Sequence, residues 1–378
     1  MVLFFRSSPI HPPVIYSHNG LVLGLALNME YMLSLNFTNS SPDSYNEEEY
    51  DNGIERWRQT LVITCFSITF LLGTVGNGLV IWIAGFRMKK TVNSFWFLNL
   101  SIADFSFCLF LPLHILDWAM DGHWPLGQVI CKVMFTSLFL NMSVSIFFLM
   151  AISVDRCTSV LCPVWSKNHR SVKLARNISV IIWLSCLALS SPYVAFYDVE
   201  HYADNNITYC TVTYAAWDNT TFFDYQTWFL RHKAMYITRF ISMFLIPFSV
   251  ILVCYGLIAF WIRRSSKHLG SSRTFKIIVT VVLCFFSCWF LYHLWPLLEL
   301  MEVDMNWPFD IIMYDLGHCL AYFNCCLNPM IYVFAGREFK RSLRKSIPFL
   351  LESTFRERGE PLETQDDTVG TELMTYHA

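Results

Sequence analysis

The chain has 378 residues, of which 54% are hydrophobic, 17% aromatic and 15% charged, with a mean hydropathy of +0.41. A soluble domain usually carries about 25% charged residues, and a soluble core has no use for the long apolar blocks found here. The net charge of −2 argues against a nucleic-acid partner, and the composition is that of a polytopic membrane protein.

Residues 1–56 read as an N-terminal tail. Pro9, Pro12 and Pro13 break its start, and Leu21 to Leu27 is too short to cross a bilayer. That short run suits either a signal-peptide core or an extension upstream of a start at Met29 or Met32. Asn36 and Asn39 open two glycosylation sequons, which work only outside the cell. Behind them Asp43 to Asp51 is acidic around Tyr45 and Tyr50. This segment is either a solvating tail or a sulfated one that captures basic ligands.

Seven apolar blocks follow, and together they make residues 57–335 a helical bundle. They are Trp57–Phe86, Asn93–Met120, Gln128–Leu161, Val172–Phe196, Ala234–Ile262, Phe275–Met301 and Pro308–Phe334. Each has the roughly 20 apolar residues that a membrane crossing needs. Basic residues mark every odd-to-even link: Arg87, Lys89 and Lys90; Lys167, Arg170 and Lys173; then Arg263, Arg264, Lys267, Arg273 and Lys276. Arg337 to Lys345 is basic after the seventh block, whereas the other connectors are acidic. Positive links stay inside, which places the N-terminus outside and the C-terminus in the cytosol.

Cys131 and Cys210 fall in outer positions where oxidising conditions favour a disulfide. Asn206 and Asn219 begin sequons on the same side. Inside the spans, Asp104 is costly unless it is protonated or holds a cation among oxygen ligands. Asn141, Ser145, Asn324 and Asn328 complete a sodium-type pocket around it. At the end of the third block, adjacent Asp155 and Arg156 suit a mouth that locks or releases the bundle.

Several of these residues form motifs in order along the chain. They are Gly76-Asn77, Leu100 to Asp104, Asp155-Arg156-Cys157, Trp183, Pro247, Tyr255, Phe285, Cys288-Trp289 and Asn328-Pro329-Met330-Ile331-Tyr332. Over roughly Trp57 to Phe349 the chain resembles the rhodopsin-like G-protein-coupled receptors. Leu291 departs from the pattern, standing where that family usually has proline, and Pro296 lies farther along. Asn93 to Leu100, Ala119 to Trp124, Pro163 to Val172, Thr274 to Thr280, Tyr292-His293 and Leu297 to Leu300 resemble the chemoattractant branch. There is no cysteine before Cys65, which sets aside the true chemokine receptors with their N-terminal disulfide.

The resemblance implies an all-α bundle of seven transmembrane helices in the plasma membrane, a receptor and no enzyme. It implies a peptide or protein ligand of the chemerin kind. The alternatives are formyl peptides, an anaphylatoxin, prostaglandin D2 or another lipid acid, or a decoy that binds without signalling. The implied partners are an inhibitory-class heterotrimeric G protein, a receptor kinase and arrestin. The ligand cavity expected from it holds His114, Asp117, Phe135, Leu138, Phe139, Met142, Arg239, Tyr292, Glu299, Tyr314, His318 and Tyr322. Arg239 would take a carboxylate, or else pair internally with Asp117 or Glu299. Leu138 leaves no counter-ion for an amine, and Tyr322 leaves no lysine for retinal. Asp155, Arg156, Tyr255, Phe285, Trp289, Asn328, Pro329 and Tyr332 would form the activation switch.

Residues 336–347 place Phe339, Leu343 and Ile347 at four-residue steps among basic residues, the pattern of an amphipathic eighth helix on the inner leaflet. Residues 348–378 form a polar tail whose Thr364, Thr368 and Thr371 are candidate phosphorylation sites. Internal repeats of the transporter kind are missing, and so is the H-E-x-x-H zinc motif.

Overall fold

A computed structural model describes residues 43–202, 207–213, 225–264, 272–301 and 307–335. Helix α1 (Asp43–Trp82) is the first span and ends in a π turn, Ile83–Arg87. It begins at Asp43, well before the apolar block at Trp57, because helical geometry continues into the acidic segment. Helices α2 (Val92–Ala119) and α3 (Gly127–Leu161) are the second and third spans, and the short α4 (Pro163–His169) links α3 to the fourth span, α5 (Val172–Phe196). The fifth span is divided by a π turn, Ile241–Leu245, into α6 (Tyr225–Phe240) and α7 (Ile246–Arg264). The sixth and seventh are α8 (Ser272–Leu300) and α9 (Trp307–Ala335).

Local chemistry sets the helix starts. Thr91 caps α2 reciprocally with Ser94: the Ser94 amide donates to Thr91 Oγ1 at 3.1 Å, and the Thr91 amide donates to Ser94 Oγ at 2.8 Å. Ser171 caps α5 by accepting from the Leu174 amide, and Pro163 opens α4 where its missing N–H costs nothing. Among the described residues, five helical segments are long and apolar enough to cross a membrane, and Val282–Leu298 of α8 is a shorter apolar stretch. Within α9, Asp310, Asp315, His318, Asn324 and Asn328 dilute the apolar pattern.

Span three is the axis of the bundle. In its most apolar window 67% of the residues are buried, against 28% in span four, which turns Ile181 and Leu184 outward. Phe139, Met142, Val144, Ile146 and Phe148 pack in one core with Leu100, Trp96 and Phe107 of span two. Large exposed side chains such as Leu71, Val75, Leu252 and Phe260 form the outer surface, as lipid-facing helices require. Close contacts fix the seventh helix. A side chain at Gly76 would lie 2.9 Å from Pro329 Cγ, and one at Gly317 would lie 3.3 Å from the Leu291 and Tyr292 backbone.

Between spans four and five, β1 (Tyr197–Tyr202) and β2 (Ile207–Val212) form an antiparallel hairpin with Val199 opposite Cys210. A disulfide joins Cys210 to Cys131 at the start of α3, as the sequence suggested. The Trp124 amide also donates to Thr208 O at 2.7 Å, so both ends of the α2–α3 link hold the hairpin across one end of the bundle.

A second pin was not anticipated. Arg58 of span one donates through Nε to Asp315 Oδ2 at 2.6 Å and through Nη2 to Asp315 Oδ1 at 3.2 Å. Both side chains are almost inaccessible, at 6% and 4%, and the two-pronged geometry matches guanidinium to carboxylate. Arg58→Ala is therefore expected to strand a buried carboxylate and destabilise the fold by about 3–5 kcal/mol, while an apolar pair at both sites recovers most of that loss. Thermal unfolding of the solubilised protein measures it, and an unchanged midpoint for the single variant would contradict the pairing. For the disulfide, Cys131→Ser, Cys210→Ser and the double variant are expected to lose the same ~2–5 kcal/mol. Additive losses in that series would mean the two cysteines act separately.

Candidate receptor site

Beneath the hairpin the second, third, sixth and seventh spans enclose a small cavity of about 30 Å³. Its wall includes His114, Asp117, Phe135, Leu138, Phe139, Tyr292, Tyr314, His318 and Tyr322, all expected there from the sequence. Phe66, Trp118 and Tyr197 complete it. Tyr197 is brought in by the hairpin and stacks on Phe135 with ring centroids 4.1 Å apart. No periodic signal could have announced it, since it lies where helix passes into strand. Met142 is fully buried below Phe139 and is not part of the wall. The side chain of Glu299 lies outside the described residues.

The walls are tied to one another. The Tyr322 hydroxyl and His114 Nδ1 are 3.1 Å apart, and Phe66 stacks on Tyr322 at 4.4 Å. Behind the wall, Trp289 meets Tyr292 edge-on at 5.4 Å. Asp117 is buried, and its Oδ1 has no hydrogen-bond partner. The same holds for His114 Nε2.

Arg239 stands next to this cavity. Its guanidinium carbon lies 5.1 Å from the centroid of Phe139, 5.0 Å from Tyr236 and 5.6 Å from Tyr292, a three-sided aromatic cage. Its buried Nε has no hydrogen-bond partner. The alternative of an internal pair with Asp117 is not realised: among the described residues, no carboxylate lies within ion-pair distance of Arg239. Tyr236 donates its hydroxyl to the His293 carbonyl and so anchors one wall of the cage to span six.

Deeper in the bundle, Asp104 is fully buried. Ser145 Oγ donates to its Oδ1 at 3.1 Å and Asn328 Nδ2 donates to its Oδ2 at 2.8 Å. The Asn141 amide, turned to suit its neighbours, donates to Asp104 Oδ1 at 3.2 Å and to the Ala103 carbonyl at 3.3 Å. Four of the five residues expected here thus converge. Asn324 is buried nearby in sequence on α9, but its Nδ2 has no partner and it does not bond Asp104. Asn77 instead spans helices, donating to the Gly73 carbonyl at 3.0 Å and the Cys325 carbonyl at 2.9 Å. The Trp183 indole donates to Asn99 at 3.2 Å.

At the opposite end from the hairpin, the expected Asp155–Arg156 lock takes a different form. Asp155 is gripped at two points by Arg170, from Nε at 2.8 Å and from Nη2 at 3.1 Å, while Arg156 stands 3.5 Å away. Asn93 accepts from both Arg156 and Arg170. Arg170 had read only as one of the basic residues of a connector. Its role depends on α4 folding it back beneath span three, which spacing does not reveal. Tyr255 packs beside Cys157, Cys254 and Ile258 at this end. Phe285 lies 5.9 Å from Trp289, and the side chain of Tyr332 lies outside the described residues.

Residues 76–332 match the model of the 7 transmembrane receptor (rhodopsin family). The chain is 41% identical over 318 residues to chemerin-like receptor 1 of Sus scrofa, covering 81% of this chain and 87% of that protein. It is 40% identical to the Homo sapiens chemerin-like receptor 1 over 321 residues, with 82% and 86% covered. It is also 40% identical to formyl peptide receptor 2 of Mus musculus over 313 residues, with 82% and 89% covered. With the ordered motifs on a bundle of long apolar helices, these matches decide the identity: the chain belongs to the rhodopsin family of seven-transmembrane receptors.

Proposed function

We propose that this receptor is a chemoattractant receptor of the plasma membrane that answers a peptide or protein ligand and activates an inhibitory-class heterotrimeric G protein. The observation that carries this reading is the Arg239 cage. A guanidinium held by three aromatic faces, with no carboxylate of its own within reach among the described residues, is prepared for a ligand carboxylate. The relatives' names, chemerin-like receptor and formyl peptide receptor, support a peptide ligand over other classes.

The N-terminus lies outside and the C-terminus in the cytosol, a reading supported by the basic odd-to-even links and by a disulfide at the hairpin end. His114, Asp117, Leu138, Phe139, Tyr292, Glu299, Tyr314, His318 and Tyr322 surround the ligand with Arg239, and Met142 backs Phe139 from below. The cavity is smaller than the few hundred Å³ a ligand fills, so ligand entry spreads the aromatic wall. That movement reaches Trp289 and Phe285, and then Asn328, Pro329, Tyr332 and Tyr255. It frees Arg156 from Asn93 and Asp155.

Asp104, Asn141, Ser145 and Asn328 offer oxygens of the hard kind that a sodium ion prefers, and the amide oxygen of Asn324 is a fifth candidate. A bound ion would supply the positive charge that Asp104 lacks and hold the second, third and seventh spans together at this level. An eighth helix is proposed for residues 336–347, with the tail after them as the substrate of receptor kinase and the site of arrestin, and glycans are proposed at Asn36, Asn39, Asn206 and Asn219. All of these lie outside the described residues.

In transfected cells, the C-terminal peptide of chemerin is expected to lower cyclic AMP in a way that pertussis toxin blocks. Arg239→Ala should weaken the response by about tenfold or more, the loss of one charge-assisted contact. Binding without any fall in cyclic AMP would identify a decoy. No response from a surface-expressed receptor would remove the chemerin-type ligand. Separately, sodium is expected to lower agonist affinity at the wild type and to leave Asp104→Asn unaffected. Equal sodium sensitivity in both would exclude the pocket.

A further inference from the structure

Among the described residues, several carboxylates near the hairpin end have partners. Asp315 is held by Arg58, and Asp310 accepts from the Trp295 indole. Asp121 accepts from Gln59, and Asp198 accepts from Gln128 and pairs with Lys132. Asp117 stands apart from these. It is 4% exposed, its Oδ1 has no hydrogen-bond partner, and it opens on the cavity. A buried carboxyl without a partner costs several kcal/mol, and such a cost is typical of groups kept for function.

Phe139 and Tyr292 line this same cavity, and both also pack on the Arg239 guanidinium. Two incompletely satisfied groups of opposite charge therefore share one pair of rings. His114, one turn before Asp117 on the same helical face, adds a third unused polar atom, its Nε2.

We propose that Asp117 is a second anchor, which receives a cationic group of the ligand while Arg239 receives its carboxylate. The inference rests on the reading of Arg239 as the carboxylate site, and it narrows the ligand class. The ligand is zwitterionic: a peptide with a free C-terminus and a nearby amine or guanidinium. A lipid acid offers Arg239 a partner but leaves Asp117 stranded, and a site that strands a buried polar group rejects such a molecule.

The test uses pools of synthetic nonapeptides that differ in two features: a free C-terminal acid or its amide, and one lysine or a glutamine in its place. Oleate serves as the lipid-acid probe. Cyclic AMP is read in cells bearing the wild type, Asp117→Asn or Arg239→Gln at matched surface levels. The wild type is expected to favour free-acid, lysine-containing pools by about tenfold or more for each feature. Asp117→Asn should erase the preference for lysine and keep the preference for the acid, and Arg239→Gln should do the reverse. A lysine preference that survives in Asp117→Asn overturns the proposal, as does a wild type best served by glutamine pools or oleate. If instead the acid preference survives in Arg239→Gln, the carboxylate anchor itself fails. Silence from every pool overturns both.

A ligand-free measurement separates function from architecture. The unliganded Asp117→Asn receptor, solubilised in detergent, should melt at or above the wild-type midpoint, because it loses an unsatisfied acid. A fall of several degrees would assign Asp117 a structural role and overturn the proposal.

Discussion

Hydrocarbon offers a buried polar side chain no water, so each such group in a helix bundle must find its partner within the protein, on its own helix or a neighbouring one, or remain unsatisfied. Much of this architecture follows from that constraint. Asn77 reaches the span-seven backbone at Cys325, Trp183 reaches Asn99, and Ser145 with Asn328 reaches Asp104. Arg58 closes on Asp315 across 257 residues of chain. None of these contacts adds much apolar area. Each specifies which helix face meets which, a matter that packing between equally oily surfaces leaves open.

The same constraint separates the groups that hold the bundle from those left for a ligand. Where both oxygens of a buried carboxylate are taken up by a partner, as at Asp315, the residue is architecture. Asp117 Oδ1 and Arg239 Nε, which have no hydrogen-bond partner, sit beside the aromatic cavity beneath the hairpin, whereas the unpartnered Asn77 Oδ1 and Asn324 Nδ2 lie deeper in the bundle. The aromatic cage makes Arg239 tolerable in the absence of an anion. The guanidinium is weakly hydrated and stacks on ring faces, which an ammonium does less well.

The spans were legible because a membrane helix announces itself by length. Span four was read with both its ends correct at Val172 and Phe196. The capping pair Thr91 and Ser94 and the proline at the start of α4 explain why the ends beside them fell within a residue or two. Span five, by contrast, begins at Tyr225, well before the expected Ala234, because its first turns are polar. The start of α1 was missed because an acidic, helix-permissive segment carries no apolar periodicity. The π turns were missed because one extra residue in a turn leaves no compositional mark. Most of the cavity wall was legible through the resemblance, but Tyr197 and the Arg58–Asp315 pair were not. They depend on which residues a hairpin or a helix crossing brings together. Arg170 shows the same limit, since a basic residue in a connector reads as an interfacial anchor until the short helix before it turns it onto Asp155.

The two ends of the bundle are joined through span seven. Gly317 lies against the Leu291–Tyr292 backbone with little room for a side chain, so spans six and seven are in near-contact beside the cavity wall. Tyr292 is on that segment, and it also faces the cavity, Trp289 and Arg239. Displacing Tyr292 therefore strains the Gly317 contact and moves the helix that carries Asn328 to Asp104. With leucine at 291, span six keeps the backbone N–H that a proline there would remove. Any bend in this helix then centres on Pro296, nearer the hairpin end. The segment from Pro296 inward to Phe285 would swing more nearly as one rod. That places the coupling between ligand and inner end in the rigid contact at Gly317 rather than in a kink beside Trp289.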